Sequence, residues 1–176
     1  MNEATKLKKH KLDCYFMDVA KRTAKLSNCQ SLQVGACVVS EHNRVLATGY
    51  NGTPAGSVNC CDKFNKEKLT IKNAVGTNVV CAREVWRDLH HAWSLQHEIH
   101  AEVNCIISAT RNNPVILDSA RLYVTTMPCD QCLKVIAASG IKEVIYLNAY
   151  DKSSELEINA LASELGITVN RLVCTS

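Results

Sequence analysis

The stretch from His100 to Leu147, HAEVNCIISATRNNPVILDSARLYVTTMPCDQCLKVIAASGIKEVIYL, decides the fold of this chain. Apolar residues repeat at helical spacing over about 100–111 and give way to a short β-branched and aromatic run at 121–125. They return to helical spacing over 129–139, stop at Gly140, and end in a second strand at 143–147. A glycine just past the last helical residue is a stop signal, because it reaches the left-handed conformation of a helix C-terminus without a Cβ penalty. Alternation of helix and strand predicts α/β architecture, with helices covering both faces of a mixed sheet.

The same pattern extends outward on both sides. Toward the C-terminus a short helix at about 154–165, closed by Gly166, leads to a last strand near 168–173. Toward the N-terminus, Leu12, Phe16, Val19, Ala20 and Leu26 recur at helical spacing from about Lys11. Two short strands follow, 34–39 and 45–49, joined by the polar turn Glu41-His42-Asn43. The segment Gly49-Tyr50-Asn51-Gly52-Thr53-Pro54-Ala55-Gly56 is punctuated by three glycines and a proline and reads as a loop. Residues of about 57–97 show no clean period apart from a helix near 83–93, yet they hold Cys60, Cys61, Cys81, His90 and His91. The expected organisation is therefore one domain over 1–176, with an insertion at about 57–97 ordered by something other than a large apolar core.

Bulk properties narrow the class. The chain is 47% hydrophobic and 21% charged, with no uninterrupted apolar run long enough to span a bilayer. Its basic start, MNEATKLKKHKL, is not followed by the apolar stretch and small-residue site of a secretory signal, so a cytoplasmic protein with no membrane partner is expected. Ten cysteines in that setting argue for thiols or metal ligands rather than a disulfide framework. The net charge of +3 is small, and its excess at Lys6, Lys8, Lys9 and Lys11 suits a solvated helix start better than a nucleic-acid surface.

Two short segments carry the chemistry: His100-Ala101-Glu102 at one helix start and Pro128-Cys129-Asp130-Gln131-Cys132 at the next. A lone histidine near a helix start is more often structural than a ligand. The Cys-x-x-Cys is stronger, because the i, i+3 spacing puts both sulfurs on one helix face, where backbone N–H groups and the helix dipole stabilise thiolates. Alone it also fits a redox dithiol. Together the three residues make a Cys₂His set, which leaves a tetrahedral zinc one open position for water and so points to catalysis rather than to a structural site. Glu102 is the residue that a redox pair would leave idle. His-x-Glu followed by Pro-Cys-x-x-Cys is a known signature of zinc nucleobase deaminases, in which the glutamate moves protons and does not bind the metal.

With these motifs in view, the chain resembles the deoxycytidylate (dCMP) deaminases, in particular their bacteriophage members, within the zinc-dependent cytidine deaminase superfamily. The resemblance runs through Val34-Gly35-Ala36, Thr48-Gly49-Tyr50-Asn51-Gly52-Thr53-Pro54, Asn59-Cys60-Cys61-Asp62, Glu98-Ile99-His100-Ala101-Glu102, Ser139-Gly140-Ile141-Lys142 and Tyr150-Asp151-Lys152. It implies a three-layer α/β/α cytidine deaminase-like fold with a mixed sheet of about five strands. It implies deamination of dCMP to dUMP and ammonia, supplying dUMP for thymidylate synthesis, with His100, Cys129 and Cys132 on a catalytic zinc and Glu102 as the proton shuttle. Asn51 and Tyr150 are implied as substrate contacts, and Cys29, Cys60, His90 and Glu98 as ligands of a second, structural zinc. A homohexamer is further implied, activated by dCTP and inhibited by dTTP with magnesium, in a host cytoplasm for a phage-encoded chain. Cys29 and Cys60 also suit buried apolar positions, as free cysteines commonly do.

Three other readings fit the residues less well. A deaminase of flipped nucleic-acid bases needs a basic groove and stacking aromatics, and this chain is 5% aromatic. A purely structural zinc protein gives Glu102 no task, and a thiol-disulfide oxidoreductase gives none to His100. Within the deaminase reading, dCTP or a 5-substituted cytosine nucleotide remains an alternative substrate.

Overall fold

The computed structural model describes residues 2–112, 117–149 and 154–174, and Asn112 in backbone only. Helix α1 (Glu3–Ala24) starts eight residues before Lys11, because Asn2 caps it by accepting from the backbone N–H of Thr5 at 2.9 Å. The lysine-rich first turns carry no apolar stripe, so periodicity alone misses them. Strands β1 (Gly35–Val39) and β2 (Val45–Tyr50) form the expected antiparallel hairpin.

The insertion is richer than its sequence pattern. Helix α2 (Cys60–Lys63) leads into a three-stranded antiparallel sheet of β3 (Phe64–Asn65), β4 (Thr70–Lys72) and β5 (Asn78–Val80), and helix α3 (Arg83–His97) closes it. Strands of two or three residues are too short for an alternation to register. A small core of Cys29, Cys60, Phe64 and Trp86 lies beneath, with Trp93 packed against it.

The remaining elements follow in order. They are α4 (Ala101–Asn112), β6 (Arg121–Thr126), α5 (Asp130–Ala138), β7 (Glu143–Asn148), α6 (Glu155–Glu164) and β8 (Thr168–Arg171). The main sheet has the order β2-β1-β6-β7-β8, antiparallel at β2-β1-β6 and parallel at β6-β7-β8. It is the five-stranded mixed sheet anticipated from the alternation.

Strand alternation sorts the core into two layers. Ala36, Val38, Leu122, Val124 and Val144 face α4, α5 and α6, while Cys37, Val39, Tyr123 and Ile145 face Phe16, Met17 and Ala20 of α1. Every one of these side chains is buried, so both sheet faces are closed and the fold is three-layered. Cys14 of α1 and Cys174 beyond β8 are disulfide-bonded, which the reading of all ten cysteines as thiols or ligands did not include; the other eight are free. No helix among the described residues is long and apolar enough to cross a membrane.

Candidate active site and metal centres

Helices α4 and α5 both begin at the C-terminal edge of the parallel strands, where α/β proteins place their ligands. The turn into α4 is fixed from outside. Gly52 and Ile99 exchange backbone hydrogen bonds of 3.1 and 2.9 Å, tying the glycine-rich loop to the residue before His100. Asn104 adds a second tie by donating from Nδ2 to the carbonyl of Tyr50 at 2.8 Å. Cys129 occupies the N-cap of α5 in extended conformation, and Cys132 lies in the first turn. Pro128, fully buried before them, has a fixed φ that suits this approach to a helix.

These supports bring His100, Cys129 and Cys132 into one group. The Nδ1 atom of His100 lies 3.3 Å from Cys132 Sγ and 3.6 Å from Cys129 Sγ. A tetrahedral zinc, with Zn–N of about 2.0–2.1 Å and Zn–S of about 2.3 Å, separates such ligands by roughly 3.5 Å. The donor set therefore fits zinc in chemistry and in spacing. Among the described residues no fourth side chain joins the group.

The electrostatics match this arrangement. Hydrogen bonding from the Cys132 thiol, with a further contribution from His100, holds Cys129 down to about 4. Hydrogen bonding to Cys129 raises His100 to about 9, and Cys129 together with burial pushes the Cys132 thiol far up. Glu102 is buried at 4% exposure, and desolvation raises its pKa above the usual carboxylate range.

A second group forms at the insertion. Cys29, Cys60 and His90 are all buried, with His90 Nε2 at 3.7 Å from Cys29 Sγ and 3.2 Å from Cys60 Sγ. The Cys60 thiol lowers the pKa of Cys29, which in turn raises that of Cys60. Glu98 stands outside this tight trio. Its Oε2 accepts from Ser94 Oγ at 2.6 Å, while its buried Oε1 has no hydrogen-bond partner among the described residues. An orphaned buried carboxylate oxygen beside two thiols and an imidazole is the feature that a cation would satisfy.

Both groups open on one cavity of about 480 Å³, a size suited to a small-molecule ligand. Asn51 lines it, but its amide is already engaged. Oδ1 accepts from the backbone N–H of Val34 at 2.8 Å and Nδ2 donates to the carbonyl of Leu32 at 2.9 Å, so the side chain braces the segment entering β1. Tyr150 lies outside the described residues. The cavity also exposes residues that sequence reasoning passed over: Arg87, Ser94, Thr126 and Asn148. Thr126 and Asn148 end β6 and β7, positions legible once those strands are placed. Arg87 and Ser94 lie within or beside the helix expected near 83–93, but nothing local shows which side of it meets the cavity.

A mixed five-stranded sheet between helical layers, with a His-Cys-Cys group and a buried glutamate at two adjoining helix starts, defines the class of zinc-binding deaminases. The family profile described as the cytidine and deoxycytidylate deaminase zinc-binding region matches residues 10–148. The chain belongs to this family, on its deoxycytidylate deaminase branch. It is 41% identical over 153 residues to the deoxycytidylate deaminase of Enterobacteria phage T4, covering 78% of each chain. It is 42% identical over 154 residues to that of phage T2, covering 78% of this chain and 80% of the other. The crystal structure of a dCMP deaminase from cyanophage S-TIM5, in complex with dCMP and dUMP, is 27% identical with a TM-score of 0.64. It aligns over 97% of this chain and 98% of that one.

Proposed function

We propose that this chain hydrolyses dCMP to dUMP and ammonia at His100, Cys129, Cys132 and Glu102. The observation that carries the reading is the His-Cys-Cys group opening on one cavity with a buried carboxylate whose pKa desolvation raises. A zinc ion held by those three ligands would supply Lewis acidity, making an attacking water acidic enough to lose a proton near neutral pH.

Glu102 does the remaining proton work. It accepts a proton from the attacking water and passes it to the ring nitrogen beside the amino-bearing carbon, then takes the second proton from the hydroxyl added to that carbon and gives it to the amino group, which departs as ammonia. A carbon–oxygen bond forms, a carbon–nitrogen bond breaks, and one water is consumed per ammonia released. Burial suits this task, because an environment that favours the neutral carboxyl lets one group hold the proton between steps. Asn51 shapes the substrate wall by bracing Leu32 and Val34, and a substrate contact from Tyr150 rests on the likeness to the deoxycytidylate deaminases alone.

A second, structural zinc held by Cys29, Cys60 and His90, with the unpaired Glu98 oxygen as fourth ligand, would order the insertion at about 57–97 within a single domain. Assembly as a hexamer, with dCTP activating and dTTP with magnesium inhibiting, rests on the likeness to the deoxycytidylate deaminases, as does a place in the host cytoplasm. The test is ammonia release by purified protein from dCMP, dCTP, CMP and deoxycytidine, with and without dCTP and dTTP. The reading requires dCMP to be the best substrate; preference for dCTP would move it to the triphosphate.

A further inference from the structure

One wall of the cavity has no part in the chemistry described above. Helix α3 supplies Arg87, His91 and Ser94 to the cavity lining, at i, i+4 and i+7 and therefore on one helix face. The rotation of that helix is fixed by the adjoining face. Trp86 and His90 are buried, stacked at 5.1 Å, and each meets Phe64 edge-on, at 5.8 and 5.1 Å. Burying residues 86 and 90 turns 87, 91 and 94 toward the cavity, so the placement of Arg87 is built into the packing.

Arg87 is the only lysine or arginine among the described residues lining this cavity. It is exposed, and among the described residues no carboxylate pairs with it. The other charged groups of the lining, apart from imidazoles and thiols, are Glu98 and Glu102, both acidic. A nucleoside monophosphate brings a phosphate of about −1.5 to −2 charge into this space. Two carboxylates repel it, and a free guanidinium offers it a planar fork of donors in bidentate geometry.

We propose that Arg87 recognises the 5′-phosphate of the substrate, with His91 and Ser94 as polar partners on the same helix face, and so sets the preference for a nucleoside monophosphate over the free nucleoside. The inference rests on the deaminase reading and adds a specificity determinant to it. It also gives the insertion a task beyond carrying a second metal: it delivers a cation to the cavity.

The test compares zinc-loaded wild type with Arg87→Ala, Arg87→Gln and Arg87→Lys, measuring calorimetric Kd for dUMP and for deoxyuridine, and KM and kcat for dCMP. Loss of a charge-assisted pair is expected to weaken dUMP binding on the order of ten- to a hundred-fold. The KM for dCMP should rise by a similar factor while kcat changes far less, the ratio of the two Kd values should collapse, and Arg87→Lys should recover part of the loss. If dUMP and deoxyuridine weaken equally, Arg87 acts only on packing and the proposal falls. It falls also if neither changes. Arg87→Gln keeps a long polar side chain, so the comparison survives poor folding of the alanine variant. A wild-type enzyme that releases no ammonia from dCMP would sink the reading of the reaction itself, and the proposal with it.

Discussion

Gly49 of β2 and Cys105 of α4 are in direct backbone contact: a Cβ on Gly49 would stand 2.3 Å from the Cys105 nitrogen and 2.7 Å from the carbonyl oxygen of Ala101. The contact lies on the first turns of the helix that begins just after His100 and carries Glu102. A strand side chain of any size would lift that helix away from the sheet.

Gly49→Ala is accordingly expected to destabilise the protein by about 3 kcal/mol, since backbone atoms cannot turn aside as a flexible side chain can. The measurement is the urea midpoint at unchanged m value, together with zinc content of the folded fraction. An unshifted midpoint would show that α4 can move freely, contrary to the packing described.

Glu102→Gln should keep its zinc and lose turnover by about 10²- to 10⁴-fold, because the amide cannot take the proton from water. Steady-state assay and metal analysis on the same sample check both halves. Retention of more than roughly a tenth of wild-type activity would remove Glu102 from the shuttle role.

Zinc loading should release protons. At pH 7 metal-free Cys129, held at about 4, is already a thiolate, whereas His100, raised to about 9, carries its extra proton and Cys132 keeps its thiol proton. Zinc takes neutral imidazole and thiolates, so about two protons leave at this site and apparent affinity climbs as pH rises toward the His100 value. Titrating zinc into chelated protein in buffers of different ionisation enthalpy counts them, with Cys60→Ser removing the second group from the count. Affinity that falls with rising pH would contradict the assignment.

Cys60→Ser should lower zinc from two ions per chain to one, because the trio with Cys29 and His90 loses a thiolate. Metal analysis of purified protein decides it. Equal counts in variant and wild type would reduce that trio to a buried polar cluster.

Much of this was legible from residues close together in the chain. Helix and strand periods at 100–147 are set by which side chains face the core, and they gave the α/β series directly. His100, Glu102, Cys129 and Cys132 were legible because their chemistry requires local spacings: one turn of helix for the thiols, and a carboxylate two residues from the ligand. The first turns of α1 were not, because a capped, solvated helix start has no apolar stripe. Strands β3 to β5 were not, because each is too short to alternate.

Sequence alone determined the His-x-Glu and Cys-x-x-Cys spacings, and where the helices and strands of the catalytic half lie, since both follow from neighbours within a few residues. Tertiary structure decided what meets what. The amide of Asn51 is spent on Leu32 and Val34, Glu98 keeps one oxygen unpaired among the described residues, and Arg87 reaches the same cavity as Glu102 from a helix of the insertion. Those relations depend on packing between segments far apart in the chain, where side-chain volume and backbone approach, as at Gly49, act and leave no local pattern.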